Sequence, residues 1–240
     1  MNKVAVIDYG MGNLHSVAKA VEHVSRELGQ PVQVQVTGDA AIIADADRVI
    51  FPGVGAIRDC MAEIRRLDVG QIVAQAMRSR PVLAICVGMQ ALLQRSEENG
   101  GVDCLGFIEG EVRYFGDKLS KIEKPGNQDK QSERSELNPR QDTPDTRLKV
   151  PHIGWSRVQQ SRSHPLWQGI EDGARFYFVH SYYAKLASPK LSTGITNYGI
   201  NFHSAFAADN IFATQFHPEK SQEAGLTLLK NFLQWDGQAC

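Results

Sequence analysis

The stretch RPVLAICVGMQALL (residues 80–93) decides the fold of this chain. Its first half is a continuous apolar run, which predicts a fully buried strand, and its second half, from Met89 onward, consists of good helix formers. Cys86 lies at the junction, and Gly88 is small enough to let the helix cross the strand closely. A reactive side chain on such a sharp turn is a nucleophile elbow, in which the first N–H groups of the helix favour the thiolate. The stretch therefore predicts a buried strand, a tight turn at Cys86 and a helix.

A second motif, QFHPEK (residues 215–220), bears on whether Cys86 is reactive. Taken alone, a cysteine in an apolar run is more often an inert core residue than a nucleophile. A nucleophilic cysteine needs a base, and the base needs a group that orients it. His217 and Glu219 supply these two groups, and Pro218 stiffens the backbone between them. Together the two motifs predict a catalytic triad of Cys86, His217 and Glu219.

The composition of the chain is that of an ordinary globular protein. Of its 240 residues 42% are apolar and 22% are charged, and the net charge is -1. These values give no reason to expect a nucleic-acid or membrane partner. The four cysteines have neither paired nor metal-ligand spacing, residues 1–10 show no secretory leader, and no apolar run approaches membrane-spanning length. We therefore expect a cytoplasmic protein without a metal site.

Strands and helices alternate along the first half of the chain. Apolar runs predict strands at residues 3–8 and 48–51, and valines that alternate with polar residues predict a strand at residues 32–36. Helical spacing of apolar residues predicts helices at residues 14–28, 57–67 and 71–79. After residue 150 the pattern is rich in strands. The chain is therefore predicted to have an α/β fold with a mostly parallel central sheet, helices on both faces and a strand-rich C-terminal half. In such sheets ligands bind outside the carboxyl ends of the strands.

Two glycine-containing turns follow predicted strands. The first, GMG (residues 10–12), suggests a dinucleotide-binding fingerprint, but His15 occupies the position that needs the third glycine, so no nucleotide cofactor is expected. The second, PGVG (residues 52–55), can turn backbone N–H groups toward an anion, although a plain turn explains the same residues. If this loop faces Cys86, it supplies one donor of an oxyanion hole and the N–H of Val87 supplies the other.

Residues 116–149 differ in character from the rest of the chain. They are rich in charge, Ser, Asn, Gln and Pro and contain almost no apolar residues. Such a segment buries too little surface to offset the entropy cost of ordering it. We interpret it as a polar surface insertion within a single domain that spans residues 1–240. Among the histidines, His15, His23 and His164 are expected at the surface, and no set has the spacing of zinc ligands.

The motifs CVGMQ (residues 86–90), FPGVG (residues 51–55) and QFHPEKS (residues 215–221) together resemble those of the class I, or triad, glutamine amidotransferases. Within this family, four more motifs are similar to those of the glutaminase subunits of imidazole glycerol phosphate synthase: DYGMGN (residues 8–13), PHIGW (residues 151–155), FVHSY (residues 178–182) and GLTLLKNF (residues 225–232). The resemblance covers essentially the whole chain except residues 116–149.

The resemblance implies a glutaminase that uses no cofactor. Cys86 would attack the side-chain amide carbon of glutamine, with His217 as base and then acid and with Glu219 orienting His217. The N–H groups of Val54 and Val87 would hold the oxyanion, and the glutamyl thioester would then be hydrolysed. The residues implied to hold glutamine are Gly53, Gly55, Gln90, Ser181 and Tyr182.

The resemblance also implies a partner. Ammonia would pass to a separate (β/α)8-barrel cyclase subunit, which makes imidazole glycerol phosphate and an aminoimidazole carboxamide ribotide, in a heterodimer of histidine biosynthesis. Asn13 and Trp155 match interface or gating positions of the family. If the Val54 peptide turns away from the site, only one oxyanion donor remains. We therefore expect the chain alone to hydrolyse glutamine poorly until a partner reorients the loop.

Three residues depart from the family pattern. The family usually has glycine where this chain has Ala84 and leucine where it has Val87, and both changes leave the elbow feasible. It usually has asparagine after the GW dipeptide, where this chain has Ser156. Two alternatives therefore stay open. One is a paralogue that serves another synthase, such as a sugar amidotransferase. The other is a non-catalytic binding subunit of the same fold, against which the intact triad argues.

Overall fold

The computed structural model of the protein describes residues 2–116, 119 and 148–238. Its helices are α1 (Leu14–Glu27), α2 (Ala40–Ala44), α3 (Ile57–Arg66), α4 (Val69–Ala76), α5 (Val87–Ala91) and α6 (Gln222–Gln234). Its strands are β1 (Asn2–Ile7), β2 (Val32–Thr37), β3 (Arg48–Gly53), β4 (Val82–Cys86), β5 (Arg95–Ser96), β6 (Val102–Asp103), β7 (Gly110–Tyr114), β8 (His152–Arg157), β9 (Gln159–Gln160), β10 (Arg175–His180), β11 (Tyr182–Leu186), β12 (Ser192–Tyr198), β13 (Ile200–Ala208) and β14 (Ile211–Thr214). Short 3₁₀-helices lie at Glu98–Gly100, Pro165–Trp167, Pro189–Leu191 and Pro218–Lys220.

Twelve strands form one large sheet. Its order is β2-β1-β3-β4-β14-β13-β11-β7-β5-β6, and β12 pairs with both β13 and β9. The five strands from β2 to β14 run parallel to one another, whereas neighbours from β14 to β7 are antiparallel. Strands β8 and β10 form a separate antiparallel ribbon. The predicted α/β fold, with parallel strands at the centre and a strand-rich C-terminal half, is confirmed.

The helices form two packed groups, as expected when both faces of a parallel sheet are covered. Helix α1 packs against α6, whereas α3 packs against α4 and α5, and α2 packs against α4. Helix α1 buries Val17, Val21 and Val24, which recur at helical spacing. Just after the helix, Gly29 has a φ of 63° and donates its N–H to the carbonyl of Arg26, which terminates the helix.

Strand β4 is an inner strand of the parallel set, between β3 and β14. The four residues that precede Cys86 are each at most 1% exposed. A strand that is buried on both faces has no need of a polar side, so its sequence shows no alternation. The strand ends at Cys86, and α5 begins at Val87. The predicted order of strand, turn and helix is therefore present.

Helix α4 differs from its prediction at both ends. It begins at Val69 instead of residue 71, because the break before it is a single residue, Asp68, with a left-handed φ of 54°. It ends at Ala76 instead of residue 79. The early start reflects a backbone conformation that side-chain periodicity does not report.

Most of the predicted insertion, residues 117–118 and 120–147, lies outside the described residues. The insertion and the single-domain organisation therefore stay predictions. Within the part of the chain that the structure describes, no helix is long and apolar enough to cross a membrane. Over the same residues, no three His, Cys, Asp or Glu side chains are grouped as metal ligands would be.

The prediction that His164 lies at the surface is wrong. The residue is only 4% exposed, and its ring packs against Phe212 and Trp235. Its Nδ1 accepts the N–H of Leu166 and so caps the turn Pro165–Trp167. Burial lowers the pKa of His164 to about 4. The aromatic residues that cover it lie 48 and 71 positions away in sequence (212 − 164 and 235 − 164), so local sequence did not reveal the burial.

Replacing His164 by asparagine is expected to make the fold less sensitive to acid. The pKa falls from an ordinary 6.5 to about 4 in the folded protein, so the unfolded chain binds a proton first and stability drops as pH falls below about 6.5. Asparagine keeps a capping acceptor but does not titrate. Between pH 7 and pH 5 the variant should lose about 1–2 kcal/mol less free energy of unfolding than the wild type. Urea unfolding at the two pH values measures this difference, and equal losses would contradict it.

Candidate active site

The turn at Cys86 is a strained junction between strand and helix. Cys86 has φ 54° and ψ -108°, a conformation that non-glycine residues rarely adopt and that clusters at functional sites. A Cβ on Gly88 would lie 2.0 Å from the carbonyl oxygen of Phe51, so only glycine lets α5 pass this close to β3. Ala84 is fully buried, so its methyl group is accommodated. The backbone therefore has the geometry of a nucleophile elbow.

A cavity of about 580 Å³ opens at the carboxyl ends of the parallel strands. Most of its lining residues come from the segments that follow β1, β3, β4, β10 and β14. This is where a parallel sheet is expected to bind a ligand. The predicted site residues that line the cavity are Asn13, Val54, Gly55, Cys86, Val87, Gln90, Ser181, Tyr182 and His217.

His217 and Glu219 form a buried hydrogen-bonded pair beside this cavity. Nδ1 of His217 lies 2.9 Å from Oε1 of Glu219, and the two side chains are 2% and 1% exposed. Burial alone would lower the pKa of His217, but the negative charges of Cys86 and Glu219 raise it to about 10. Among the described residues no group hydrogen-bonds to Nε2 of His217. That nitrogen is therefore free to exchange a proton with a molecule in the cavity.

The loop that contains Val54 is anchored from the protein interior. The buried hydroxyl of Tyr9 donates to the carbonyl of Pro52 at 2.9 Å, and the thiol of Cys60 donates to the carbonyl of Val54 at 3.3 Å. The N–H of Val54 donates no hydrogen bond to a described residue. The loop thus has two carbonyls held by hydrogen bonds. Val54 lines the cavity, and its N–H has no acceptor among the described residues, so this N–H is available to an anion.

The sequence profile of the family described as glutamine amidotransferase class-I matches residues 5–235. The chain belongs to the class I glutamine amidotransferases. Among curated relatives, the amidotransferase is similar to the imidazole glycerol phosphate synthase subunit HisH 1 of Pseudomonas aeruginosa, with 53% identity over 99% of this chain and 99% of that protein. It is also similar to the HisH subunits of Pseudomonas putida, with 54% identity over 99% and 100% of the two chains, and of Acinetobacter baylyi, with 48% identity over 98% and 100%.

Solved structures share the fold of the amidotransferase at low sequence identity. A crystal structure of a glutamine amidotransferase superposes with a TM-score of 0.63 and 14% identity, covering 96% of this chain and 97% of the other. A glutamine amidotransferase from Thermotoga maritima gives a TM-score of 0.52 at 14% identity, covering 91% and 76%. At these identities the likeness extends to the fold alone.

Three predicted site residues lie off the cavity wall of the amidotransferase. Glu219 is not part of the cavity lining, but its Oε1 hydrogen-bonds to Nδ1 of His217. Gly53 pairs with Cys86 at the ends of β3 and β4, and a Cβ on it would lie 2.6 Å from the Tyr9 hydroxyl, so close packing accounts for this glycine. Trp155 is 41% exposed on the outer face of the β8–β10 ribbon.

Three further residues at the site are not among those that the sequence predicted. Glu98 lines the cavity, and its Oε2 accepts the N–H of Ile57 at 3.1 Å. Lys220 also lines the cavity. Gln215 is fully buried and donates its Nε2 to the sulfur of Cys86 at 3.6 Å. The last two flank the HPE motif, but Glu98 belongs to a polar connection whose position only the fold reveals.

Proposed function

We propose that this amidotransferase is the glutaminase subunit of an imidazole glycerol phosphate synthase. The observation that carries the proposal is the similarity of nearly the whole chain to HisH subunits of that synthase. The elbow cysteine and the buried His217–Glu219 pair at one cavity support it. The reaction is the hydrolysis of glutamine to glutamate and ammonia.

The reaction begins at the sulfur of Cys86. The thiolate bonds to the side-chain amide carbon of glutamine, and the carbonyl electrons move onto oxygen. His217, protonated at neutral pH because its pKa is raised to about 10, gives the Nε2 proton to the amide nitrogen, so that ammonia leaves and a thioester remains. Water then attacks the thioester while Nε2 takes its proton, and cleavage of the carbon–sulfur bond returns the thiolate.

The oxyanion of both tetrahedral intermediates needs donors near the elbow. We assign this role to the N–H groups of Val54 and Val87. Val87 is the first residue of α5, where N–H groups have no acceptor within the helix. Val54 lines the cavity, and its N–H has no acceptor among the described residues. Loss of one such donor slows a reaction by about 10²–10³-fold.

Glutamine carries an α-ammonium group, and Glu98 is suited to bind it. Its carboxylate is negative and lines the cavity, and one oxygen is already fixed by the N-terminus of α3. Gln90, the segment at Ser181 and Tyr182, and the backbone at Gly55 would hold the rest of the substrate. Gln90 is held in place by the carbonyl of Tyr182, to which its Nε2 donates at 3.1 Å.

Replacing Glu98 by glutamine is expected to raise the KM for glutamine about 10–100-fold with little change in kcat, because one charge-assisted bond is lost equally in the bound substrate and the transition state. Steady-state kinetics with the partner subunit present measure the two constants. Glu63→Gln is the matched control, since Glu63 pairs with Arg66 on the outer side of α3 and should leave both constants unchanged. A fall in kcat at constant KM would contradict this role.

The acceptor of ammonia is a (β/α)8-barrel cyclase subunit, with which the chain forms a heterodimer. Three large apolar side chains are exposed on the β8–β10 ribbon: Ile153, Trp155 and Val179, at 59%, 41% and 36%. Val179 also lines the cavity. With Asn13 they form the surface that we assign to the partner. Cys60, Cys86 and Cys104 are free thiols, as suits the reducing cytoplasm where we place the complex. No cofactor takes part.

The proposal is tested by glutamine turnover of the chain alone, with its cognate cyclase subunit, and with that subunit plus its ribonucleotide ligand. We expect low turnover alone and the largest rise at the last step, since the ligand-bound partner favours the donating orientation of the Val54 peptide. Full turnover by the isolated chain would contradict this coupling. Activation by the barrel subunit of another synthase, and not by the cognate cyclase, would instead favour a paralogous glutaminase, for which Ser156 leaves room.

A further inference from the structure

A series of hydrogen bonds through two buried histidines leads from the β8–β10 ribbon to the cavity. The hydroxyl of Ser156 lies 2.8 Å from Nε2 of His152. Nδ1 of His152 lies 2.9 Å from Nε2 of His180, and Nδ1 of His180 lies 2.7 Å from the carbonyl oxygen of Tyr182. Both rings are at least 94% shielded from solvent. The series therefore ends at a backbone carbonyl that belongs to the cavity wall.

The carbonyl of Tyr182 at the end of this series fixes the donor and the acceptor of every hydrogen bond in it. A carbonyl oxygen only accepts, so Nδ1 of His180 carries the proton. Burial lowers the pKa of His180 to about 3 and that of His152 to about 4, so both rings are neutral. Nε2 of His180 then accepts from Nδ1–H of His152, and Nε2 of His152 accepts from the hydroxyl of Ser156. The carbonyl of Tyr182 is thus held by a series of hydrogen bonds in which each donor and each acceptor is assigned.

A second branch leaves the same carbonyl and reaches the nucleophile. Nε2 of Gln90 donates to the carbonyl of Tyr182 at 3.1 Å and to Oε1 of Gln215 at 2.9 Å. Because Gln215 must present its oxygen to Gln90, its amino group faces the other way. That group donates to the sulfur of Cys86 at 3.6 Å. The orientation of the Gln215 amide therefore follows from the Tyr182 carbonyl.

We propose that Gln215 is a further catalytic residue, whose amide N–H stabilises the Cys86 thiolate, and that Gln90, His180 and His152 are positioning residues for it. The proposal rests on the proposed function only in taking Cys86 as the nucleophile. An amide donor suits this role because it has no proton that it can lose to the sulfur. Gln215 is fully buried, so water does not compete for the bond.

The test is the pH dependence of Cys86 alkylation by iodoacetamide in the full chain without glutamine, followed by mass spectrometry of the peptide that contains Cys86. In Gln215→Met, which keeps the length but lacks the donor, the midpoint should move upward by about one to two pH units. The other charged or titratable groups near Cys86, which stay in every variant, are His217, Glu219, Tyr9, Cys60, Glu98 and Lys220.

Thr214→Val is the matched control. It removes a buried hydrogen bond, Oγ1 to the carbonyl of Phe216 at 3.0 Å, from the strand just before Gln215 without touching the sulfur. A midpoint that moves in Gln215→Met and not in Thr214→Val supports the proposal. An unchanged midpoint in Gln215→Met, or equal shifts in both variants, overturns it.

If Gln215→Met does not fold, Gln90→Met provides the second test. It leaves Gln215 in place but removes the group that holds its oxygen, so the two ends of the amide can exchange. For loss of the donor itself we expect a shift of about one to two pH units. A smaller upward shift of the midpoint in Gln90→Met supports the proposal, and an unchanged midpoint overturns it. The alkylation midpoints are measured without glutamine turnover, so they test the role of Gln215 independently of the glutaminase function. The loss of activity in Cys86 variants tests the glutaminase function.

Discussion

Replacing Cys86 by alanine is expected to reduce glutamine-dependent synthesis by about 10⁴-fold or more, the loss seen when the nucleophile of a triad is removed. Synthesis driven by added ammonia should continue, because that reaction takes place on the partner subunit. Alanine fits the elbow, since the change removes one atom from a side chain that is 3% exposed. The measurement compares imidazole glycerol phosphate formation from glutamine and from ammonium salt with the same heterodimer.

Cys104→Ala serves as the control for this experiment. Cys104 is a free thiol away from the cavity, and its sulfur contacts the carbonyl of Val102. This variant should retain normal glutamine-dependent synthesis. If Cys86→Ala retains glutaminase turnover, another group attacks glutamine and the assignment of the nucleophile is wrong.

The second large effect is expected at His217. His217→Ala removes the group that we propose gives and takes the proton beside the sulfur, and the loss in kcat should approach that for Cys86. Glu219→Gln keeps a hydrogen-bonding group at 2.9 Å from Nδ1 and should be less damaging by about one to two orders of magnitude. Side-by-side rates for the two variants in the activated heterodimer measure the difference. Equal losses would mean that Glu219 does more than orient His217.

The Glu219→Gln variant has a second signature that a merely structural defect would not produce. The negative charge of Glu219 helps to raise the pKa of His217 to about 10. Removing that charge lowers the pKa of His217, so the alkaline limb of the pH profile should move to lower pH. A profile that keeps its shape while the rate drops would indicate misfolding or loss of substrate binding instead.

The elbow could be predicted from sequence because its determinants are local. An apolar run, a cysteine, a small residue and helix formers follow one another within residues 80–93, and the structure reproduces that order. Glu98 and His164 escaped prediction for the opposite reason. One reaches the cavity and the other the core through contacts with residues that lie far away in sequence. Periodicity reports which face of an element is buried, but it does not report which distant element covers it.

The role of Ser156 illustrates the same limit. From sequence it is a departure at a position where the family usually has an amide. In the structure the Ser156 hydroxyl turns inward to His152 and supplies the donor that a neutral ring requires. Both serine and asparagine can donate a hydrogen bond there. Serine at this position therefore keeps a hydrogen-bond donor for His152. This conclusion depends on the position of the His152 ring, which the sequence does not give.

Strand β14 follows every other described strand in sequence, yet it lies between β4 and β13 in the middle of the sheet. During synthesis on the ribosome, the edges of β4 and β13 that pair with β14 therefore stay unpaired until residues 211–214 emerge. Unpaired strand edges of this kind promote aggregation and chaperone binding. His217 and Glu219 follow only three and five residues after the end of that strand. Completion of the sheet and placement of the proposed catalytic pair, His217 and Glu219, are thus the same late event. With these two residues in their proposed roles, a nascent chain cannot release ammonia before the sheet is complete.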